Sequence, residues 1–243
     1  YQFMPQRMLK KLISLKVFLH LLIIWFGEMY KKKFFFIVFE GIEGCGKSFQ
    51  SKKLFKNLRK KGFSVDLTRE PGGTKSAEQI RDLILKDYFF KDSKEKFHKY
   101  TDTLLYMAAR NEHFQNRIKK SIVKKNILIC DRFIDSTIAY QVYGKGVDKK
   151  FVNLIHKKIL GKIKPNITIL LKVKISKALK RLKKRVKKNR YDKFSKNFYV
   201  KAQKSFIKIA QKNRKTHIIL NSSEDNSDLE KDILNIIMNR IKR

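Results

Sequence analysis

Residues that interrupt or cross-link a chain are scarce in this 243-residue sequence. Three prolines and ten glycines leave no Pro- or Gly-rich linker between domains, and we find no internal repeat. The two cysteines, Cys45 and Cys130, have neither the pattern of a disulfide framework nor a metal-binding spacing, which favours a reducing, cytoplasmic location. The length predicts one domain with a sizeable core, or at most a domain with an appendage.

Acidic residues are also scarce: 21 Asp and Glu stand against 59 Lys and Arg, for a formal net charge of +38. The hydrophobic fraction of 42% excludes a disordered chain. Because the basic residues are spread along the whole sequence, we interpret the charge as a compositional bias at tolerant surface positions and expect no specific nucleic-acid partner. Binding of nucleic acid, or of a small polyanionic substrate in a basic cleft, stays open.

No hydrophobic run is long enough to span a bilayer, since the apolar stretch at residues 17–26 is short and is interrupted by His20. It follows a basic start, as in a signal peptide, but no small-residue cleavage site comes after it. We expect residues 1–28 to be an N-terminal extension that is not part of the native protein, which would begin at Met29. A membrane-surface anchor is the alternative; otherwise we expect no membrane partner.

Five short apolar segments have the character of buried strands, and amphipathic segments with helical spacing separate them. The predicted strands are residues 34–40, 63–70, 126–133, 166–173 and 217–221. Thr101 is the expected N-cap of a long helix. Alternating strands and helices predict a three-layer α/β/α fold with a parallel five-stranded sheet. Ligands of such sheets bind beyond the carboxyl ends of the strands.

The segment FEGIEGCGKS at residues 39–48 has the glycine spacing of a phosphate-binding loop (P-loop). It follows a predicted strand and opens a predicted helix, which is the context this motif requires. Glycines let backbone N–H groups turn toward phosphates, Lys47 adds a positive charge, and Ser48 offers a hydroxyl ligand to Mg²⁺. The sequence therefore predicts a P-loop NTPase fold. The predicted nucleotide-binding residues are Gly41, Ile42, Glu43, Gly44, Cys45, Gly46, Lys47 and Ser48.

A second phosphate site is indicated by the segment ILICDRF at residues 127–133. Asp131 ends this strand like the acid that assists Mg²⁺ binding in P-loop proteins, so we expect Ser48 and Asp131 to be the metal ligands. Hydrolytic ATPases often carry Glu after this acid to activate water, whereas this chain has Arg132. The chain also lacks the N-K-x-D motif with which GTPases read guanine. Arginine can hold a phosphate bidentately, so the pattern favours transfer between two phosphorylated molecules.

Together these motifs resemble those of bacterial thymidylate kinases, in order and separation, from about residue 34 to the C-terminus. The matching segments are FEGIEGCGKS (39–48), TREPGGT (68–74), LLYMAAR (104–110), DRFIDSTIAYQVYGKG (131–146) and NRYDKFSKNFYVKAQKSF (189–206). The resemblance implies a domain at residues 29–243 that converts dTMP to dTDP with ATP and Mg²⁺. It also implies a homodimer, with the helix region at residues 110–123 as the candidate interface.

The resemblance implies roles for individual residues of the acceptor site. Tyr106 would stack on thymine and Arg110 would contact a base carbonyl; the two are four apart in a helix and share a face. Arg132 would hold the phosphate of dTMP, and Glu43 the deoxyribose 3′-hydroxyl. A tyrosine beneath the sugar, at Tyr140, would disfavour a 2′-hydroxyl. The remaining implied substrate-binding residues are Arg69, Pro71, Gly72, Arg81, Ser136, Thr137 and Gln141.

A basic segment at residues 172–193 contains twelve Lys and Arg and one acid. It falls at the family's lid, expected at about residues 180–197, whose closure places positive charge on the transferring phosphoryl group. Because Gly44 and not Arg follows Glu43, the resemblance implies that the mobile arginine belongs to the lid. Arg190 and Arg185 are both candidates, and a solvated helix face is the alternative. The implied catalytic residues are thus Glu43, Lys47, Arg132, Arg185 and Arg190.

Three other interpretations stay open. A kinase of different base selectivity is suggested by Thr137, where most relatives carry Ser or Asn. A basic, nucleic-acid-binding P-loop protein would bind DNA in a salt-sensitive way without turnover. Departures from the family pattern at Phe49, Lys172 and Asn189 suggest an inactive relative, although none of them removes a central group.

Overall fold

The structure, a computed structural model, describes residues 33–85, 96–184, 186, 194–224 and 228–242. The expected extension at residues 1–28 and the lid candidates Arg185 and Arg190 lie outside the described residues. None of the helices in the described ranges combines the length and the hydrophobicity needed to cross a membrane.

Five parallel strands form one sheet in the order β2-β3-β1-β4-β5. The strands are β1 (Phe35–Glu40), β2 (Val65–Arg69), β3 (Ile127–Asp131), β4 (Ile167–Lys172) and β5 (His217–Asn221). The helices are α1 (Lys47–Lys60), α2 (Lys75–Leu85), α3 (Lys99–His113), α4 (Lys119–Val123), α5 (Ile134–Thr137), α6 (Lys149–Leu160), α7 (Ile175–Lys183), α8 (Lys196–Lys212) and α9 (Asp228–Ile241). Short π-helical segments follow α3 at Phe114–Ile118 and α5 at Ile138–Gly144. The predicted α/β class and its five strands are confirmed, with small differences at strand ends.

The central strand β1 is buried along its whole length because helices cover both faces of the sheet. Its side chains alternate between the faces, so Phe35, Ile37 and Phe39 join one hydrophobic cluster and Phe36 and Val38 join the other. Helices α1, α8 and α9 supply the first cluster, while α6 and the π-helical segment after α3 supply the second. Burying each such side chain contributes roughly 1.5–3 kcal/mol, so β1 anchors the P-loop firmly to the core.

The carboxyl ends of the strands meet at one edge of the sheet. In the register of β3, Asp131 lies beside Phe39 of β1 and Arg69 of β2. The segment at residues 41–48 continues directly from β1 at this edge. The predicted phosphate-binding segments are therefore brought together by strand pairing alone.

The helices differ from the sequence-based expectations in two ways. Helix α3 begins at Lys99 with His98 as its N-cap, so the predicted cap Thr101 is wrong and lies inside the helix. The histidine ring accepts a hydrogen bond from the Tyr100 N–H, which satisfies the helix start before Thr101. Helix α6 was not predicted, and helix α7 occupies the first part of the basic segment that was expected to be lid.

Candidate active site

The P-loop has a backbone path that side chains would block. Gly41 and Gly44 have positive φ values, and a Cβ atom at either would lie 2.6 Å from a backbone carbonyl oxygen, that of Leu171 or of Ala178. Gly46, with φ of 92°, turns the chain into α1. Glycine is therefore required where the loop runs against β4 and α7 and where the helix begins. The N-terminal N–H groups of α1 then point toward the space enclosed by the loop.

Polar side chains of the loop make contacts that a nucleotide can replace or join. The Lys47 ammonium donates a 2.7 Å hydrogen bond to the Ile42 carbonyl across the loop. The Ser48 hydroxyl donates to Oδ2 of Asp131 at the end of β3. The other carboxylate oxygen of Asp131, Oδ1, is buried and has no hydrogen-bond partner among the described residues.

The pair Ser48 and Asp131 fits Mg²⁺ because both residues offer hard oxygen ligands, and one buried carboxylate oxygen has no hydrogen-bond partner within the described part of the chain. Within the described ranges there is no group of three or more His, Cys, Asp or Glu side chains able to hold a metal. Magnesium in phosphoryl-transfer sites is commonly held by one or two protein ligands, with phosphate oxygens and water completing the shell. The protein ligands present match that type of site.

Arg132 lies at the centre of a compact ion-pair cluster next to the P-loop. Its Nη2 donates to Glu43 Oε1 at 2.7 Å, and its Nη1 donates to the Gly41 carbonyl and the Ser136 hydroxyl, both at 2.9 Å. The Tyr140 hydroxyl donates to the second Glu43 oxygen at 2.6 Å. The arginine has a φ of 76°, uncommon for a non-glycine residue, which turns its side chain back over the loop.

The electrostatics of this cluster favour the ionised forms of both Glu43 and Arg132. Burial raises the pKa of Glu43, but the charges of Arg132 and Lys47 outweigh it and hold that pKa below its ordinary value. Burial lowers the pKa of Arg132, and Glu43 more than compensates, so the guanidinium stays protonated. A fixed positive group therefore faces the cleft beside the P-loop, as the sequence predicted for Arg132.

The P-loop and Arg132 open onto a cleft of about 490 Å³. Residues predicted for the site that line this cleft are Glu43, Gly44, Gly46, Lys47, Ser48, Arg69, Pro71, Arg81, Tyr106, Arg110, Asp131, Arg132, Ser136, Thr137, Tyr140 and Gln141. Gly41, Ile42, Cys45 and Gly72 are not among its lining residues. The Ile42 and Cys45 side chains are fully buried in the core, so these residues can reach a nucleotide only through their backbone.

Two predicted arginines of the acceptor side are engaged by the protein itself. Arg69 makes two hydrogen bonds to the Glu78 carboxylate, at 3.2 and 2.9 Å. Arg81 donates to the Pro71 carbonyl and lies 3.9 Å from the same carboxylate. Burial and the neighbouring Arg69 charge lower the pKa of Arg81. Both arginines line the cleft, but an acceptor phosphate would compete with Glu78 for them.

The side of the cleft formed by α3 contains a buried arginine, Arg110, whose charge and N–H groups have protein partners. Arg110 is only 3% exposed, and its Nε donates to Glu70 Oε2 at 2.7 Å. Its terminal nitrogens donate to the Thr137 hydroxyl at 2.9 Å and to the Phe133 carbonyl at 3.0 Å. His113 holds the other Glu70 oxygen at 2.9 Å. Burial raises the pKa of Glu70, yet Arg110 and His113 lower it overall, so the pair stays ionised.

Sequence reasoning missed Glu40, the last residue of β1. It is 1% exposed and accepts hydrogen bonds from the Phe133 N–H at 2.8 Å, the Ser136 N–H at 3.2 Å and the Ser136 hydroxyl at 2.6 Å. Burial, followed by the charge of Asp135, raises the pKa of Glu40 to about 7. An acid at the end of an otherwise apolar central strand was the available signal. The carboxylate fixes the turn that carries Arg132.

Arg181 on α7 is a second missed residue, although it lies inside the basic segment that the sequence singled out. Its guanidinium donates to the Gly44 carbonyl and to the Ser222 carbonyl, each at 3.1 Å, and it lines the cleft. The arginine therefore ties the P-loop to the loop after β5. Its place among so many basic residues gave no reason to select it.

Comparisons with known proteins agree with this geometry. The sequence profile described as "Thymidylate kinase" matches residues 39–233. Curated proteins named thymidylate kinase from Geotalea daltonii and Dehalococcoides mccartyi strain BAV1 are 44% and 45% identical to this chain over 136 and 137 residues. Each alignment covers 56% of this chain, and 61% and 63% of the respective relative, so the chain spans about three fifths of the length of the curated relatives it matches.

A solved structure is also similar to this chain over most of its length. The crystal structure of thymidylate kinase from Ehrlichia chaffeensis has a TM-score of 0.66 and 32% sequence identity, and the match covers 84% of this chain and 99% of that chain. These similarities favour a kinase over the nucleic-acid-binding alternative.

Proposed function

Because the chain belongs to the thymidylate kinase family, we propose that it transfers the γ-phosphoryl group of ATP to dTMP, giving ADP and dTDP. The observation that supports this proposal best is the placement of two candidate phosphate-binding groups on one cleft: the P-loop with Lys47 and, across Glu43, the half-buried Arg132. A single-substrate hydrolase needs only the first. Phosphoryl transfer depends mainly on positioning and charge neutralisation, which these groups supply.

On the donor side, the P-loop backbone surrounds the β- and γ-phosphates of ATP. Lys47 exchanges the Ile42 carbonyl for a phosphate oxygen, at little cost because the ammonium already points into the loop. Ser48 and Asp131 would hold Mg²⁺, which neutralises phosphate charge when bound. Arg181 keeps the Gly44 carbonyl turned away from the phosphates. The loop is therefore set for an anion before the nucleotide arrives.

On the acceptor side, the phosphate of dTMP competes with Glu43 for the Arg132 guanidinium. Release of Glu43 from this pair frees a carboxylate oxygen to accept from the deoxyribose 3′-hydroxyl. Tyr140 lies over Arg132, 5.4 Å from ring centre to guanidinium carbon, and would sit beneath the sugar. Tyr106 stacks on the base and Arg110 contacts a base carbonyl. The acceptor phosphate is already nucleophilic, so no separate general base is required.

The finer parts of the proposal concern the lid, the assembly and the location. Arg185 and Arg190 remain the candidate lid arginines. A homodimer through residues 110–123 is supported by Val123, an apolar side chain that is 81% exposed on this face. A cytoplasmic location is supported by the two free, buried cysteines. We propose that residues 29–243 form the kinase domain and that residues 1–28 are an extension to it.

The test is coupled ADP release by the purified full chain with ATP, Mg²⁺ and a panel of dTMP, dUMP, dCMP, UMP and thymidine. We expect turnover to favour dTMP strongly over dCMP, UMP and thymidine, since Arg110 selects a base carbonyl, Tyr140 selects deoxyribose and Arg132 requires a phosphate. A preference for another monophosphate would show a kinase of different base selectivity. No turnover with any monophosphate, by folded protein that binds ATP, would contradict the proposal.

A further inference from the structure

The side chain of His156 belongs to no motif and is not used by the proposed reaction, yet it contacts the base-reading arginine. It lies on α6, is 6% exposed, and places its Nε2 atom 2.5 Å from Nη1 of Arg110. The two residues are 46 positions apart in the sequence. Helix α6 is joined to the nucleoside side of the cleft through this contact.

The chemistry of the contact fixes the state of the imidazole. Arginine can only donate hydrogen bonds, so Nε2 of His156 must be the unprotonated acceptor nitrogen, with the ring proton on Nδ1. Burial and the adjacent positive charge of Arg110 lower the pKa of His156 to about 2. The imidazole is therefore a neutral acceptor throughout the physiological pH range.

A count of hydrogen bonds shows what this acceptor does to Arg110. A guanidinium has five N–H donors. Nε donates to Glu70, and Nη1 donates to Thr137 and His156 and has a weaker contact, at 4.0 Å, with the Met107 sulfur. One Nη2 hydrogen faces the Phe133 carbonyl. Among the contacts of the described residues, one Nη2 hydrogen is left for a ligand. The guanidinium plane is also held against the Phe133 ring at 5.4 Å.

We infer that His156 is a positioning residue that sets base selectivity: by accepting the second Nη1 hydrogen, it orients Arg110 so that a single Nη2 donor is presented to the base. This inference rests on the proposed function. A lone, rigidly held donor discriminates between a pyrimidine carbonyl, which accepts, and an amino group at the same ring position, which cannot. Without His156, the second Nη1 hydrogen would have only the weakly accepting sulfur of Met107, and the guanidinium would turn toward a stronger acceptor.

The test compares kcat/KM for dTMP, dUMP and dCMP in the parent chain, His156→Leu and His156→Gln. Thymine and uracil share both carbonyls, whereas cytosine has an amino group in place of one. We expect His156→Leu to lower the dTMP:dCMP ratio about tenfold, the size expected when one directed hydrogen bond to the base carbonyl is lost. The dTMP:dUMP ratio should change less than about twofold. Glutamine can place an amide oxygen near the Nε2 position, so His156→Gln should retain most of the dTMP:dCMP discrimination.

The matched control is Asn153→Leu, a change from a polar side chain to leucine at an exposed position of α6, the helix that carries His156. It should leave both ratios unchanged. If His156→Leu does not fold, His156→Asn serves instead. The asparagine side chain is too short to reach Arg110, so this variant should also lower the dTMP:dCMP ratio. Equal losses for all three substrates, or no change in the ratio, would overturn the inference.

Failure of the inference and failure of the proposed function give different results. A parent chain that turns over dTMP while the folded His156 variants keep the parent's ratios refutes only the role of His156. A parent chain without kinase activity refutes the proposed function. In that case, the ratio of the dissociation constants for dTMP and dCMP is measured by calorimetry in the parent and in His156→Leu. Unchanged binding ratios in His156→Leu, or a parent that binds neither nucleotide, would overturn the positioning role too.

Discussion

The P-loop and the nucleoside pocket face the same cleft, but the first is built from backbone and the second from side chains. The loop is one contiguous segment, residues 41–48, in which a Cβ atom added to Gly41 or Gly44 would lie 2.6 Å from a neighbouring carbonyl oxygen. The pocket instead assembles Arg110 from α3, Arg132 from the turn after β3 and Tyr140 from the π-helical segment after α5. Each of these side chains has protein partners in the absence of substrate.

The difference teaches how each half recognises its ligand. A phosphate chain is similar in all nucleoside triphosphates, so a preformed backbone cradle with one lysine is sufficient. A base must be distinguished from other bases, which requires donors of fixed direction. The Glu70–Arg110 pair is therefore buried and ionised, and its partners decide which direction remains for the base. Disruption on the donor side should affect the rate, and disruption on the acceptor side should affect substrate binding and selectivity.

The largest effect is expected at Lys47. Lys47→Ala removes the charge that follows the γ-phosphate into the transition state, so kcat should fall about 10³-fold. The free energy of unfolding should change little because the hydrogen bonds of the lysine stay within the loop, to the Ile42 carbonyl and the Cys45 sulfur. Lys56→Ala, at an exposed position of the same helix, is the control. Steady-state kinetics and a chemical unfolding curve for each variant measure kcat and the free energy of unfolding. Equal kcat values for Lys47→Ala and Lys56→Ala would contradict the role of Lys47 on the donor side.

An intermediate effect is expected at Arg132. Arg132→Ala removes charge-assisted hydrogen bonds to the acceptor phosphate, each worth about 1.5–3 kcal/mol, so the KM for dTMP should rise about 100-fold. The KM for ATP should change less than about threefold, since the P-loop backbone is unaltered. Arg214→Ala, at an exposed arginine, is the control. An equal rise in the KM values for dTMP and ATP would mean that the acceptor site and the P-loop do not bind their substrates independently.

The smallest effect is expected for Glu40, and it concerns stability. Its folded pKa of about 7 lies above the ordinary value of 4.5, because of burial and Asp135. Between these values the native state binds a proton that the unfolded state releases, so the contribution of Glu40 is complete below about pH 4.5 and is lost as the pH rises through 7. The free energy of unfolding of the parent should thus fall between pH 5.5 and pH 8.

The matched pair for this measurement is Glu40→Gln and Asp232→Asn, a buried and an exposed acid changed to their amides. Denaturant titrations at both pH values should show a smaller pH-dependent loss in Glu40→Gln than in the parent. Asp232→Asn should follow the parent. Identical losses in all three proteins would mean that Glu40 is ionised across this range and that the turn carrying Arg132 is not linked to pH.

Much of the fold follows from local sequence patterns. The five strands are short apolar runs, and β1 is recognisable because burial on both faces removes polar residues from Phe35 to Phe39. Helix α6 was not predicted because its regular apolar side lies outside every recognisable motif. The wrong prediction of a cap at Thr101 has a different origin, because histidine is an unusual N-cap. The ring nitrogen of His98 accepts the backbone hydrogen bond that a serine or threonine hydroxyl usually accepts.

The site was predictable where its residues stand in contiguous motifs, and the thymidylate kinase resemblance is confirmed. The partners of those residues were not predictable. Glu40 bonds to Ser136 across 96 positions, and Glu70 to Arg110 across 40, with no periodic spacing to indicate either pair. His156 has no motif at all. Long-range partners of a site residue become visible only when the fold brings their elements together.

The most direct test of the whole account is transfer of label from [γ-³²P]ATP with dTMP as acceptor. The account predicts that the radioactive product is dTDP and that labelled inorganic phosphate stays at background. With ATP saturating and dTMP well below the parent's KM, Lys47→Ala should lower the rate of labelled dTDP formation about 10³-fold and Arg132→Ala about 100-fold. Release of labelled inorganic phosphate at the same rate with and without dTMP would contradict it, because the second phosphate site would then have no part in the reaction.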